Sequence, residues 1–115
     1  MLSYRHAFHA GNHADVLKHY VLFEILSYYG QKDKPYWYID THAGAGQYDL
    51  KGPQAAQNAE YLEGVGRLWE QSQLPPALEA FLAALRAFNS GPDLRIYPGS
   101  PLLVGSLVRD EDRML

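Results

Sequence analysis

Residues 36–46 constrain the fold more than any other stretch: Tyr36-Trp37-Tyr38-Ile39 runs directly into Asp40-Thr41-His42-Ala43-Gly44-Ala45-Gly46. Consecutive aromatic and β-branched residues predict a short strand over 36–39. The two glycines behind it let the backbone leave the strand end by a tight path. Upstream, the pattern predicts a helix from Asn12 to about Tyr29. Asn12 suits its N-cap, Asp15 stands near the positive end of its dipole, and Gly30 suits the C′ position. Val16, Leu17, Val21, Leu22, Phe23, Ile25 and Leu26 cover most of the helix circumference. A helix of that kind is expected to be buried on several sides, as when it lies on a sheet within a larger body. The order helix, strand, glycine loop is an α/β signal.

Past a polar stretch, Pro53 introduces a helix expected from Gln54 to about Gln71. Leu62, Val65 and Trp69 share one of its faces, and Gly64 and Gly66 weaken it. Pro75-Pro76 opens a second helix with a cleaner apolar stripe, Leu78, Phe81, Leu82, Leu85 and Phe88, which Asn89-Ser90-Gly91-Pro92 ends. Leu94-Arg95-Ile96-Tyr97 reads as a strand. Ser100 then reads as N-cap, and Pro101 as first residue, of a helix reaching about Val108. Glu111 to Leu115 reads as a turn entering a new apolar segment, so the natural chain is expected to continue beyond Leu115.

A chain of 115 residues with 47% apolar and 20% charged residues is expected to build one small globular domain. The lack of cysteine excludes disulfides and thiolate zinc sites and fits a reducing, cytoplasmic setting. No signal-like run opens the chain, and no apolar stretch approaches a membrane span. The net charge of −3 argues weakly against a nucleic-acid binder. The charge is uneven, however. Residues 1–20 carry Arg5 and Lys18 against Asp15 alone, together with His6, His9, His13 and His19, while the remainder is acidic. Contact with a polyanion therefore favours the N-terminal end.

Glycines after a strand let backbone amides approach a cofactor, and Asp40 at the strand end can accept hydrogen bonds from one. The same residues also suit an ordinary strand-to-loop turn. The spacing differs from the dinucleotide fingerprint, which disfavours NAD and FAD. His6, His9 and His13 have spacings that zinc sites use, but Gly11 and Asn12 interrupt any shared helical face, and a metal site is disfavoured. Tyr4, Arg5 and Phe8 could stack on a base or meet a phosphate; equally, they suit a hydrophobic tail tucked onto the body. Trp37 and Trp69 read as core.

Four blocks then stand together. Residues 1–19, Met1-Leu2-Ser3-Tyr4-Arg5-His6-Ala7-Phe8-His9-Ala10-Gly11-Asn12-His13-Ala14-Asp15-Val16-Leu17-Lys18-His19, closely resemble the start of the bacterial ribosomal RNA large subunit methyltransferase J family. So do Asp40 to Gly46, Glu60-Tyr61-Leu62-Glu63-Gly64 and Tyr97-Pro98-Gly99-Ser100-Pro101, in the family's order and spacing. The resemblance implies a Rossmann-like class I methyltransferase fold, of which residues 1–115 are the N-terminal part and residues 53–92 an inserted helical subdomain. It implies methyl transfer from S-adenosylmethionine to the N6 amine of an adenine in 23S ribosomal RNA, with no metal and no membrane partner. His19, His42 and Ser100 match cofactor-contacting positions, and Gly44 and Gly46 would shape the same pocket. Tyr4, His6 and Lys18 match positions beside the target adenosine. One departure is plain: the chain has no Asp/Asn-Pro-Pro-aromatic motif, and Leu74-Pro75-Pro76-Ala77 reads as a helix start instead. The fragment alone is therefore expected to be inactive. A non-catalytic nucleotide- or RNA-binding module is the alternative.

Overall fold

The computed structural model describes residues 5–41 and 43–115, with Asn58 described by its backbone alone. After a 3₁₀ turn over His6–Phe8, helix α1 spans His13–Gly30. The expected cap forms: the Asp15 backbone N–H donates to Asn12 Oδ1 at 2.8 Å. Gly30 is the last helical residue and not a left-handed C′ residue; Gln31 caps the end with right-handed geometry.

The inner stripe of α1, Asp15, Val16, His19, Phe23 and Leu26, is buried. Its opposite side differs from expectation. Leu17, Val21 and Ile25 are 64%, 46% and 48% exposed, so α1 is buried along one face and uncovered along the other. Apolar residues around a helix state only that burial is favourable; the described residues supply packing partners on one side.

Strand β1, Trp37–Tyr38, falls where the aromatic run predicts it. It pairs in parallel with the closing strand β4, Arg113–Met114, in the register Trp37 to Arg113. Trp37 is 67% exposed, which corrects its reading as core. Strand β2, Gln47–Asp49, was hidden in the glycine-rich segment. It pairs antiparallel with β3, Ile96–Pro98, placing Tyr48 opposite Tyr97.

The single helix expected over 54–71 is three pieces. Helix α2 spans Pro53–Asn58, a 3₁₀ turn covers Glu60–Glu63, and α3 spans Val65–Trp69. Ala59 turns left-handed at φ 51°, and the chain bends again at Gly64. The second bend has a tertiary cause. Gly64 lies against the N-terminal tail so closely that a Cβ there would overlap the carbonyl oxygen of Gly11. That carbonyl in turn accepts the Val65 N–H at 2.9 Å.

Helix α4, Pro76–Arg86, follows its stripe closely: Phe81, Leu82 and Leu85 are buried. Helix α5, Ser100–Gly105, starts one residue earlier than expected; Gly99 is its N-cap and Ser100 its first residue. The core forms where α1, α4 and β3 meet, with Phe81 between Tyr20 and Phe23 at ring-centroid distances of 5.6 and 5.5 Å. Leu50, Val65, Tyr97 and Leu103 belong to the same cluster. No described helix is long and apolar enough to cross a membrane.

Candidate functional site

An open cavity of about 650 Å³ lies between the start of α1, the loop after β1 and the start of α5. Its walls include Arg5, His6, Lys18 and His19 from the N-terminal segment, Gly44 from the glycine loop, and Gly99 and Ser100 from the β3–α5 turn. Five of the site residues expected from the sequence therefore share one space: His6, Lys18, His19, Gly44 and Ser100. Gly46 does not line it; its carbonyl accepts the Gly99 N–H at 2.8 Å and so ties the loop to the β3–α5 turn. Tyr4 and His42 lie outside the described residues.

Two local features hold the walls. At Gly99 the backbone passes so close to the loop that a Cβ would overlap the Ala45 carbonyl oxygen. Ser100 Oγ donates to Asp40 Oδ2 at 2.7 Å, and Tyr38 Oη donates to the same oxygen at 2.9 Å. Asp40 thus joins the end of β1 to the start of α5. Burial, reinforced by Asp40, pushes the Tyr38 phenol above its ordinary pKa, so it stays a donor.

Behind the His6, Lys18 and His19 wall stands Asp15, a residue the sequence places only as a favourable charge in the first turn of a helix. Its side chain is almost completely buried. One oxygen, Oδ2, accepts the Gly11 N–H at 3.0 Å and lies 3.0 Å from His6 Nε2. The other, Oδ1, stands 3.6 Å from Lys18 Nζ and 3.7 Å from His19 Nδ1. Burial alone would raise the Asp15 pKa. The His6 hydrogen bond, His19, and the Gly11 amide outweigh that and hold it below the ordinary carboxylate value. Three of the expected site residues therefore share one buried carboxylate. The signal for it was available as a helical spacing: positions 15, 18 and 19 fall on one side of α1.

His19 is 2% exposed. Burial lowers its pKa to about 4 against the opposing pull of Asp15, so the imidazole is neutral at physiological pH. Its Nδ1 lies 2.7 Å from Tyr97 Oη. Two of the tail histidines meet carboxylates: His6 meets Asp15, and His9 Nδ1 sits 3.0 Å from Glu60 Oε1. Glu60 is held below its ordinary pKa by the His9 hydrogen bond and by a further one from Asn12. Among the described residues no group of three or more His, Cys, Asp or Glu is arranged to hold a metal ion. Part of the tail lies on the body, with Ala10 buried, while Arg5 and His6 line the cavity.

A family model described as ribosomal RNA large subunit methyltransferase D, RlmJ, matches residues 33–115. The chain is 54% identical over 114 residues to the ribosomal RNA large subunit methyltransferase J of Escherichia coli (strain K12), covering 99% of this chain and 41% of that protein. It is 48% identical over 116 residues to the protein of the same description from Haemophilus influenzae (strain ATCC 51907 / DSM 11121 / KW20 / Rd), covering 100% of this chain and 41% of that one. The chain thus spans 41% of the length of each of these curated relatives. The fold is similar to the crystal structure of protein LPL1258 from Legionella pneumophila str. Philadelphia 1, with a TM-score of 0.83 and 39% identity over 91% of this chain and 38% of that chain. The curated relatives match across the tail-to-helix segment as well as the loops around the cavity, the family model covers the chain from residue 33 onward, and the chain belongs to the ribosomal RNA large subunit methyltransferase D, RlmJ family.

Proposed function

We propose that this chain forms the cofactor-facing and substrate-tail part of an S-adenosylmethionine-dependent methyltransferase acting on the N6 amine of an adenine in 23S ribosomal RNA. The observation that carries the reading is the convergence of His19, Gly44 and Ser100 with His6 and Lys18 on one cavity, from segments far apart in sequence. Family membership supports the reaction class.

The residues suit the cofactor. A cavity of about 650 Å³ falls within the size range of small-molecule sites. Its glycine and alanine wall lets backbone approach a flat adenosine, and neutral His19 and Ser100 offer polar contacts without adding charge. S-adenosylmethionine supplies a reactive sulfonium methyl when bound, which leaves alignment and electrostatics to the protein. In this reading His19, His42 and Ser100 contact the cofactor and Gly44 and Gly46 shape its loop. Tyr4, His6 and Lys18 serve the target adenosine, which must leave its stack to reach them.

In this reading the fold is a Rossmann-like class I methyltransferase, with residues 53–92 as an inserted helical subdomain. The parallel pairing of β1 with β4 supports it, as does the wholly helical regular structure between β2 and β3 among the described residues. The chain contains no Asp/Asn-Pro-Pro-aromatic motif to accept hydrogen bonds from the amine. The 115-residue chain is therefore expected to transfer no methyl group by itself. The test incubates radiolabelled S-adenosylmethionine and ribosomal RNA lacking the modification with this chain, and in parallel with a chain of the relatives' full length that contains it. Labelled N6-methyladenosine is expected only from the longer chain. Its absence from both refutes the assigned reaction, and its appearance with the short chain refutes the division of labour.

A further inference from the structure

Tyr97 is completely buried in β3, yet it carries a hydroxyl that must place its proton. Among the described residues that hydroxyl makes one hydrogen bond, to His19 Nδ1 at 2.7 Å. The two rings lie tilted at 40° with centroids 5.4 Å apart. We propose that Tyr97 is a positioning residue that holds His19 as its Nε2–H tautomer, so that His19 offers a hydrogen-bond donor to the cavity and selects a ligand atom that accepts.

The direction of the bond follows from what surrounds it. Had His19 Nδ1–H donated to the phenol oxygen, the phenol proton would need another acceptor. The carboxylate of Asp15 does not provide one: Oδ2 takes the Gly11 N–H and faces His6, and Oδ1, which makes no hydrogen bond among the described residues, receives none from Tyr97. A buried phenol proton without an acceptor costs about 1–3 kcal/mol, so the phenol donates and Nδ1 accepts. Burial favours this state at both ends. It pushes the Tyr97 pKa up, so the proton stays on oxygen, and it lowers His19 to about 4, so the ring is neutral. A neutral imidazole accepting at Nδ1 carries its one proton on Nε2. That nitrogen has no hydrogen-bond partner among the described residues, and His19 lines the cavity.

The chemical consequence is selective. An Nε2–H group pairs with a carboxylate, hydroxyl, ether or ring-nitrogen acceptor and repels an ammonium or a sulfonium. Applied to S-adenosylmethionine, which rests on the function proposed above, His19 meets a carboxylate, sugar or base acceptor and stays clear of the amino group and the methyl-bearing sulfur.

The test separates the tautomer from the ligand. Nitrogen-15 spectra of the histidine rings at neutral pH should show His19 in the wild-type chain as a protonated Nε2 and an unprotonated Nδ1. Tyr97→Phe, which keeps the ring and its packing, should move His19 toward a mixture of tautomers. Titration with S-adenosylmethionine, and with S-adenosylhomocysteine as an uncharged-sulfur control, should show roughly fivefold weaker binding of both by Tyr97→Phe, the loss of one modest hydrogen bond. A protonated Nδ1 in the wild-type spectrum overturns the proposal, and that measurement depends on no variant. An unchanged His19 tautomer in a folded Tyr97→Phe chain also overturns it. If the wild-type tautomer is as stated but neither ligand binds a full-length chain, the cofactor reading fails while the Tyr97–His19 assignment stands.

Discussion

Acidification should destabilise this chain through one residue, His19, before its carboxylates are protonated. In the unfolded chain an imidazole has its ordinary pKa of 6.5, whereas burial in the folded state lowers it to about 4. The sign follows directly. A depressed folded pKa means that below pH 6.5 the unfolded chain takes up a proton the folded chain refuses. The stability contribution is fully present above that value and is lost as pH falls toward 4. At about 1.4 kcal/mol per pKa unit, the full loss is about 3 kcal/mol, and about 2 kcal/mol of it has gone by pH 5. Those acids held below their ordinary values start from 3.8 for Asp15 and Asp112 and 4.5 for Glu60, so pH 5 isolates the histidine. The assay is urea unfolding at pH 7.5 and pH 5, comparing the wild-type chain with His19→Gln. Glutamine cannot titrate and still offers Tyr97 an acceptor. Every other titratable residue is present in both proteins, so the difference between them reads position 19. The wild type should lose about 2 kcal/mol more than the variant between the two pH values. Parallel losses would refute the claim that His19 is buried neutral in the folded chain.

Three further outcomes follow from particular contacts. Gly64→Ala should cost at least about 2 kcal/mol in thermal or urea unfolding, because its Cβ meets the backbone of Gly11 and Asn12 and not a movable side chain; a change under 0.5 kcal/mol would show that the tail does not lie there. Arg109 donates to the carbonyls of Gly30, Lys32 and Lys34 and to Asp112, whose Oδ1 accepts the Tyr36 N–H. Arg109→Ala should therefore accelerate hydrogen exchange at Tyr36 and Arg113 selectively, with the α4 core unchanged. Ser100→Ala removes the 2.7 Å bond to Asp40 and should weaken S-adenosylmethionine binding several-fold, while urea stability falls by about 1 kcal/mol or less; undiminished binding would remove Ser100 from the cofactor site.

Much of this architecture was legible in the residues themselves. The extent of α1 and its Asn12 cap, the β1 strand and the α4 stripe arise from local rules: a side-chain oxygen within reach of the Asp15 N–H, aromatic residues on a pleated strand, and apolar spacing on one helix. The grouping of His6, Lys18, His19, Gly44 and Ser100 came from the family resemblance, carried by unusual blocks of sequence and not by periodicity. Other features needed the tertiary structure. The helix expected over 54–71 breaks at Gly64 because the tail backbone, some fifty residues earlier, occupies the space a Cβ would need. Ser100 opens α5 and turns to Asp40, 60 residues away. Asp15 changes from a helix-end charge into the shared acceptor behind the cavity wall only once His6 folds back over it. Tyr97 and His19 meet across 78 residues, and their hydrogen bond, with the tautomer it selects, exists only because both are shut away from water in the same core. Sequence states which groups prefer burial and which local conformations are cheap; which polar atoms must satisfy one another is settled by the space that distant segments leave between them.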